Sequence, residues 1–90
     1  FMRAVITVVG KDAVGILSKV SAVCAENNVN IIEVSQSILQ DMFCMIMMTD
    51  VTQSKVPFDQ LAKQMNRIGE DAGLAIHVMH EDIFNSMHRI

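Results

Sequence analysis

Two glycines near the start of the chain are positioned to form an anion-binding loop. Gly10 and Gly15 enclose the sequence Lys-Asp-Ala-Val, directly after a β-branched run at residues 5–9. Glycine permits tight turns and a close approach of the backbone to a ligand, because it has no Cβ atom. A helix that begins after Gly15 would direct its first free N–H groups and the positive end of its dipole at a carboxylate or phosphate. The alternative is an ordinary strand-to-helix turn, which the glycines alone do not exclude.

Two polar residues interrupt the segment that follows the first predicted helix. Asn30 stands where the second strand should begin, and Gln36 breaks a row of apolar residues at alternate positions. A buried amide must find hydrogen-bond partners, so Gln36 is either a binding residue or a residue near a strand edge or bulge. Asn30 is equally consistent with simple turn chemistry.

The remaining polar residues do not form a recognisable catalytic or metal-binding pattern. The sequence shows no nucleophile beside a base and no converging pair of carboxylates. Copper carriers of small α+β type use a C-x-x-C pair in the first loop, and this loop contains no cysteine. His77 and His80 are three residues apart on a predicted strand, so their side chains face opposite ways. We therefore expect no enzymatic activity, no metal and no cofactor.

The composition indicates one small domain. The chain has 90 residues and a net charge of −3, and it lacks a basic patch, which argues against nucleic acid as a partner. No apolar run approaches the ~20 residues of a membrane span, and no basic segment precedes a long apolar core at the start, so we expect a cytoplasmic location. Cys24 and Cys44 lie in patterned segments, as reduced thiols of cytosolic proteins do. Because 51% of so short a chain is hydrophobic, apolar residues should remain outside the core, and we expect a homo-oligomer.

Hydrophobic periodicity predicts the element order βαββαβ with a short C-terminal helix. Gln40 and Asp41 form the two-residue turn of a central hairpin. This order is typical of an α+β, ferredoxin-like sandwich with a four-stranded antiparallel sheet and two helices on one face. The predicted strands are residues 3–9, 30–39, 42–50 and 74–80, and the predicted helices are residues 15–28, 57–72 and 82–90.

The third predicted strand is apolar on both faces, so it should be central in the sheet or covered by a partner. One of its two faces must belong to the side of the sheet without helices. The candidates for that surface are either Phe43, Met45 and Met47 or Met42, Ile46 and Met48.

Two short motifs at this spacing resemble the ACT domain, a family of small ligand-binding modules that regulate amino-acid metabolism. The first is Gly10-x-Asp12-x-x-Gly15-Ile16-Leu17, and the second is Val-Asn-Ile at residues 29–31. The resemblance covers residues 2–80, and residues 81–90 add a C-terminal helix. The whole chain resembles the single-domain ACT proteins of bacteria and archaea.

The resemblance implies a homodimer or higher homo-oligomer, paired side by side or face to face. It also implies an amino acid bound between the first loop of one subunit and the second strand of the other. Backbone N–H groups suit its α-carboxylate, while Asp12 and the amide oxygen of Asn30 suit its α-ammonium. The expected ligand-binding residues are Gly10, Lys11, Asp12, Ala13, Val14, Gly15, Ile16, Asn30, Ile31 and Gln36.

The loop departs from the family pattern at two places. Val14 stands where many members have proline, and Gly10 and Asp12 stand where serine-responsive members have histidine and asparagine. The negative charge of Asp12 opposes a carboxylate and favours a cation. From the resemblance as a whole, we predict a regulatory module that senses an amino acid. The alternatives are an adaptor that uses the ACT dimer to dock on another protein, and a metal-binding variant.

Overall fold

The computed structural model describes residues 2–11 and 14–87, and these residues form the predicted order of elements. The helix predicted over residues 15–28 ends earlier, because Asn28 adopts a left-handed conformation with φ of 60°. The fourth strand begins one residue later than predicted. The elements are β1 (Arg3–Gly10), α1 (Ile16–Glu26), β2 (Asn30–Leu39), β3 (Met42–Asp50), α2 (Phe58–Ala72), β4 (Ala75–His80) and α3 (Glu81–Met87).

The strands of the described residues form one antiparallel four-stranded sheet in the order β2-β3-β1-β4. The predicted ferredoxin-like arrangement is therefore confirmed. Gln40 and Asp41 join β2 to β3 with φ values of 50° and 71°, as the tight turn of a hairpin requires. A bulge between Ile31 and Glu33 shifts the register of β2 against β3.

The core lies between α1 and α2 and one face of the sheet. Each helix turns an apolar stripe toward the core, and the two central strands, β1 and β3, turn every second residue toward it. Gly69 allows α2 to approach β4, since a Cβ atom there would lie 2.6 Å from the carbonyl oxygen of Leu74. The fully buried residues of this layer include Ile6, Val8, Ile16, Val20, Met45, Met47, Leu61 and Met65.

We call the sheet face turned away from α1 and α2 the open face. Of the two surfaces proposed from the sequence, the second, with Met42, Ile46 and Met48, lies on this face. On β1 and β3, the open face has Arg3 and Asp50 at one end, followed by Val5, Thr7, Val9, Met42, Cys44, Ile46 and Met48.

The C-terminal helix α3 packs against the open face. It begins at Glu81 rather than after a cap at Asp82, and none of its described residues is fully buried. Of its predicted apolar stripe, Phe84 is half-buried, whereas Ile83 and Met87 are exposed. The last member of that stripe, Ile90, lies outside the described residues.

Candidate functional site

The two glycines of the first loop have different structural roles. Gly10 ends β1, and a Cβ atom at this position would collide with the side chain of Leu74. Gly15 precedes α1 with φ of 75°, a conformation that other residues adopt only with strain, and its surroundings are open. Gly10 is therefore explained by packing, and Gly15 by the turn into the helix.

The N-terminus of α1 is the feature of the loop best suited to an anion. Gly15 provides no side-chain cap, and the first turn of α1 carries no acidic residue. The first N–H groups of a helix have no intrahelical acceptor, and the helix dipole adds a partial positive charge beside them. A ligand carboxylate can accept from these N–H groups in place of the side chain that Gly15 does not have.

The residues of the loop differ in whether their side chains can contact a ligand. Ile16 is buried in the core, so only its backbone can face a ligand. Lys11 is exposed at the start of the loop, and Val14 is 92% exposed. Asp12 and Ala13 lie outside the described residues, and their predicted contributions stay predictions.

Within one chain, the loop and the start of β2 lie at opposite ends of the sheet. Gly10 pairs with Phe43 beside the hairpin, whereas Asn30 pairs with Asp50, which in turn pairs with Arg3. The seven residue steps from one end of β1 to the other span about 23 Å. A single copy of the chain therefore cannot form a small pocket between the loop and the start of β2.

The residues at the start of β2 face alternate sides of the sheet. Asn30 shares the open-face side with Asp50, while Ile31 pairs with Thr49 and joins the core. The backbone N–H and hydroxyl of Thr52 both donate to Oδ1 of Asp50, at 2.9 and 2.6 Å, and they hold the pKa of this carboxyl below its usual value. A carboxylate thus lies beside Asn30.

β2 is an edge strand that extends beyond the helix layer. It pairs only with β3 among the described strands, and its residues from Ile32 to Leu39 are all exposed. The sequence-based premise that Gln36 is buried is therefore wrong. Gln36 lies opposite the buried Met45 on the helix side of the sheet, but α1 and α2 do not reach far enough to cover it.

The two histidines of β4 are the residues of this strand that could serve as metal ligands. His77 lies on the open face, and His80 lies on the helix side, where its ring stacks on Phe58 at 4.2 Å between centroids. The two histidines thus face opposite ways, as predicted. No group of three or more potential metal ligands occurs in residues 2–11 and 14–87, and no helix there is long and apolar enough to cross a membrane.

Comparison with known proteins identifies similar chains over almost the whole length. The family model described as the ACT domain matches residues 3–79. A UPF0237 protein of Clostridium perfringens is 52% identical over 89 residues, which cover 99% of this chain and 100% of that protein. A UPF0237 protein of Methanocaldococcus jannaschii is 47% identical over 88 residues, 98% of each chain.

Solved structures agree with this similarity. An ACT domain protein from Streptococcus pneumoniae superposes with a TM-score of 0.79 at 35% identity, covering 92% of this chain and 93% of that chain. A formyltetrahydrofolate deformylase from Pseudomonas syringae reaches a TM-score of 0.77 at 23% identity, but the match covers only 28% of that enzyme. This second similarity shows the shared fold alone.

Proposed function

Because this chain belongs to the ACT domain family, we propose that it is a regulatory module that binds an amino acid between two copies of itself. One observation carries the proposal. The N-terminus of α1, where the left-handed Gly15 supplies no side-chain cap, provides a site for a carboxylate, and Asn30 of the same chain lies at the other end of the sheet. A second copy can supply the opposing wall.

The exposed edge of β2 provides a way for two copies to meet. In an antiparallel pair of β2 edges, the start of one strand lies beside the end of the other. Asn30 of one copy then lies at the end of the sheet where the partner copy carries its glycine loop. The pairing also satisfies the backbone groups along the edge and covers Val34 and Ile38, both of which are exposed.

The proposed ligand contacts follow from the chemistry of each group. The α-carboxylate binds the first N–H groups of α1, and the exposed ammonium of Lys11 adds attraction at the rim. The α-ammonium binds the amide oxygen of Asn30 from the other copy, together with Asp12. The proposed site comprises Gly10, Lys11, Asp12, Ala13, Val14, Gly15, the backbone of Ile16, Asn30, Ile31 and Gln36.

A protein-binding adaptor is the second candidate, and the exposed apolar end of the hairpin favours it. Ile38 is 75% exposed and Leu39 is 64% exposed, as residues that dock on another protein often are. The free thiols of Cys24 and Cys44 support a reducing, cytoplasmic environment for either function.

A thermal-shift screen of the twenty amino acids tests the sensor. A ligand present at one hundred times its Kd stabilises the native state by about 2.7 kcal/mol, which raises the melting temperature of a small domain by several degrees. Asn30→Ala should remove the shift while leaving the unliganded melting temperature close to wild type, because this side chain is exposed. A melting temperature that stays unchanged with every amino acid would contradict the sensor and favour the adaptor. A melting temperature that rises with divalent cations alone would favour the metal-binding variant.

The dimer is tested separately by light scattering. Val34→Lys places two like charges near the centre of the paired β2 edges and should separate the copies. Gln60→Lys adds the same charge on the exposed surface of α2 and should leave the copies paired. If neither substitution changes the molar mass, the copies do not pair through β2.

A further inference from the structure

A groove runs along the open face beside the C-terminal helix. Helix α3 packs mainly over β1 and β4, so β3 and the edge strand β2 lie next to it on this face of the sheet. The groove between them encloses about 220 Å³. None of its lining residues belongs to the proposed amino-acid site. They are Glu33 and Ser35 of β2, Ile46 and Met48 of β3, and Phe84 of α3.

The groove has an apolar floor and one apolar wall. Ile46 and Met48 form the floor, and Ile46 is 39% exposed although it lies on a central strand. The half-buried ring of Phe84 forms the wall on the side of α3. An apolar surface of this shape gains free energy when an apolar group displaces the water from it. An aromatic ring is well suited to the wall, because aromatic pairs interact favourably beyond the area that they bury.

A β-bulge places a carboxylate along the opposite side of the floor. Strict alternation from the start of β2 would direct Glu33 to the helix side of the sheet. The bulge between Ile31 and Glu33 shifts the register, so that Glu33 pairs with Met48 on the open face. Ser35 follows two residues later and pairs with Ile46. Bulges often redirect a side chain next to a functional site. Here the bulge gives the apolar groove a polar edge.

The chain does not neutralise this carboxylate. Within residues 2–11 and 14–87, Glu33 takes part in no ion pair and no side-chain hydrogen bond. The guanidinium of Arg3, at the same end of the sheet, is paired with Glu81 at 3.3 Å. The first turn of α3 adds a second acidic residue, Asp82, and its last described turn has no basic residue. The surroundings of the groove therefore favour a positively charged group and oppose a carboxylate.

The size of the groove limits what it can hold. A cavity of about 150 Å³ lined by aliphatic and aromatic side chains holds one benzene molecule. The groove is larger than this, and it is open at the edge where Glu33 lies. It therefore has room for one ring that carries a short chain, with the end of the chain at the carboxylate.

We propose that the groove binds a small organic amine that carries an aromatic ring and no carboxylate. The ring packs on Ile46 and Met48 against Phe84, and the ammonium donates to the carboxylate of Glu33. The hydroxyl of Ser35 accepts a further hydrogen bond from the ammonium. Because the carboxylate of an amino acid would be repelled here, this groove and the proposed amino-acid site select different ligands.

An NMR titration of the isotope-labelled full chain with phenethylamine tests the proposal. A ligand of this size is expected to bind with a Kd of about 1 mM, which such a titration measures. The amide signals of the groove residues should shift in a saturable way, and those at Gly15 and Ile16 should not. Phenethyl alcohol has the same ring but no charge, so it should bind about three- to five-fold more weakly, as expected for loss of a half-exposed ion pair.

Three variants assign the binding to the groove. Glu33→Gln removes the charge but keeps the size of the side chain, so it should weaken the amine about three- to five-fold and leave the alcohol unchanged. Glu70→Gln removes the same charge from the exposed surface of α2 and is the matched control, with the affinity of wild type. Ser35→Phe fills the groove from an exposed strand position and should abolish the binding of both ligands.

The outcomes separate this groove from the amino-acid site. A preference for the amine that is lost in Glu33→Gln and kept in Glu70→Gln supports the proposal. Equal affinity of wild type for the amine and the alcohol, shifts that map outside the groove, or undiminished binding by Ser35→Phe would each overturn it. Glu33→Gln should keep the thermal shift with an amino acid, so either site can fail without the other.

Discussion

The side chain of Leu74 occupies the space that a Cβ atom of Gly10 would need. Gly10 is the last residue of β1 and Leu74 directly precedes β4, so the close approach fixes the loop against the end of the neighbouring strand. The first glycine of the ACT-like motif is thus required for packing. In the proposed amino-acid site, Gly10 would therefore act indirectly, by fixing where the loop starts.

We expect Gly10→Ala to destabilise the protein by about 1–3 kcal/mol, because overpacking a well-filled site forces neighbouring atoms to move. Leu74→Ala alone should cost about 2–5 kcal/mol, since Leu74 is nearly buried. In the double variant the clash is absent, so the cost should be clearly less than the sum. Urea denaturation of the four proteins measures this coupling, and additive costs would contradict the steric explanation.

Gly15 and Gly73 form a natural pair for separating backbone strain from ligand binding. Their φ values are 75° and 73°, and a Cβ atom would meet nothing within 4 Å at either position. We expect alanine at either site to cost about 1–2 kcal/mol, and asparagine to cost less because it tolerates the left-handed conformation. Only Gly15→Ala should weaken the amino-acid thermal shift. An equal weakening by Gly73→Ala, at the far end of α2, would mean that the shift follows stability rather than the loop.

Much of the fold follows from the alternation of residue types. β3 is apolar on both faces, which predicts a strand that is central in the sheet or covered by a partner, and it lies centrally, between β2 and β1. Gln40 and Asp41 were expected to form the hairpin turn, and both adopt the left-handed conformation that this turn requires. These features depend on local sequence, so local reasoning predicts them.

The sequence could not predict how far one layer of the structure extends over another. Alternation places Gln36 on the helix side of β2, but it cannot tell that the helices leave this edge strand uncovered. It likewise predicted an apolar stripe on α3 without showing that Ile83 and Met87 face away from their own sheet. Both properties depend on the placement of whole elements. In the candidate site, the assignment of the loop and Asn30 to two sides of a ligand site stays a prediction, and the distance between them within one chain depends on strand register.

Asn27 and Gln64 join the C-terminal end of α1 to α2. The amide nitrogen of Asn27 donates to Oε1 of Gln64 at 2.7 Å and to the carbonyl oxygen of Val23 at 3.0 Å, and Asn27 is buried. We expect Asn27→Ala to cost about 1–3 kcal/mol, because it removes two side-chain hydrogen bonds of about 0.5–1.5 kcal/mol each. The carbonyl oxygen of Val23 keeps its bond from the backbone N–H of residue 27. Gln64→Ala should cost less, since Asn27 keeps its bond to Val23. A double-mutant cycle checks the pair, and a coupling energy of zero would mean that this hydrogen bond does not contribute.

The stability of the protein should decrease at high pH because of Cys24. Burial raises the pKa of this thiol from 9.0 to about 11, so the folded protein holds the proton more tightly than the unfolded chain does. The stabilisation is complete below pH 9 and is lost as the pH rises from 9 to 11, where only the unfolded state releases the proton. Urea denaturation at pH 8 and pH 10.5 measures the loss, and Cys24→Ala is the control that removes this thiol and leaves every other ionisable group in place. The alanine variant should show the smaller decrease between the two pH values, and equal decreases would mean that Cys24 does not govern the alkaline loss.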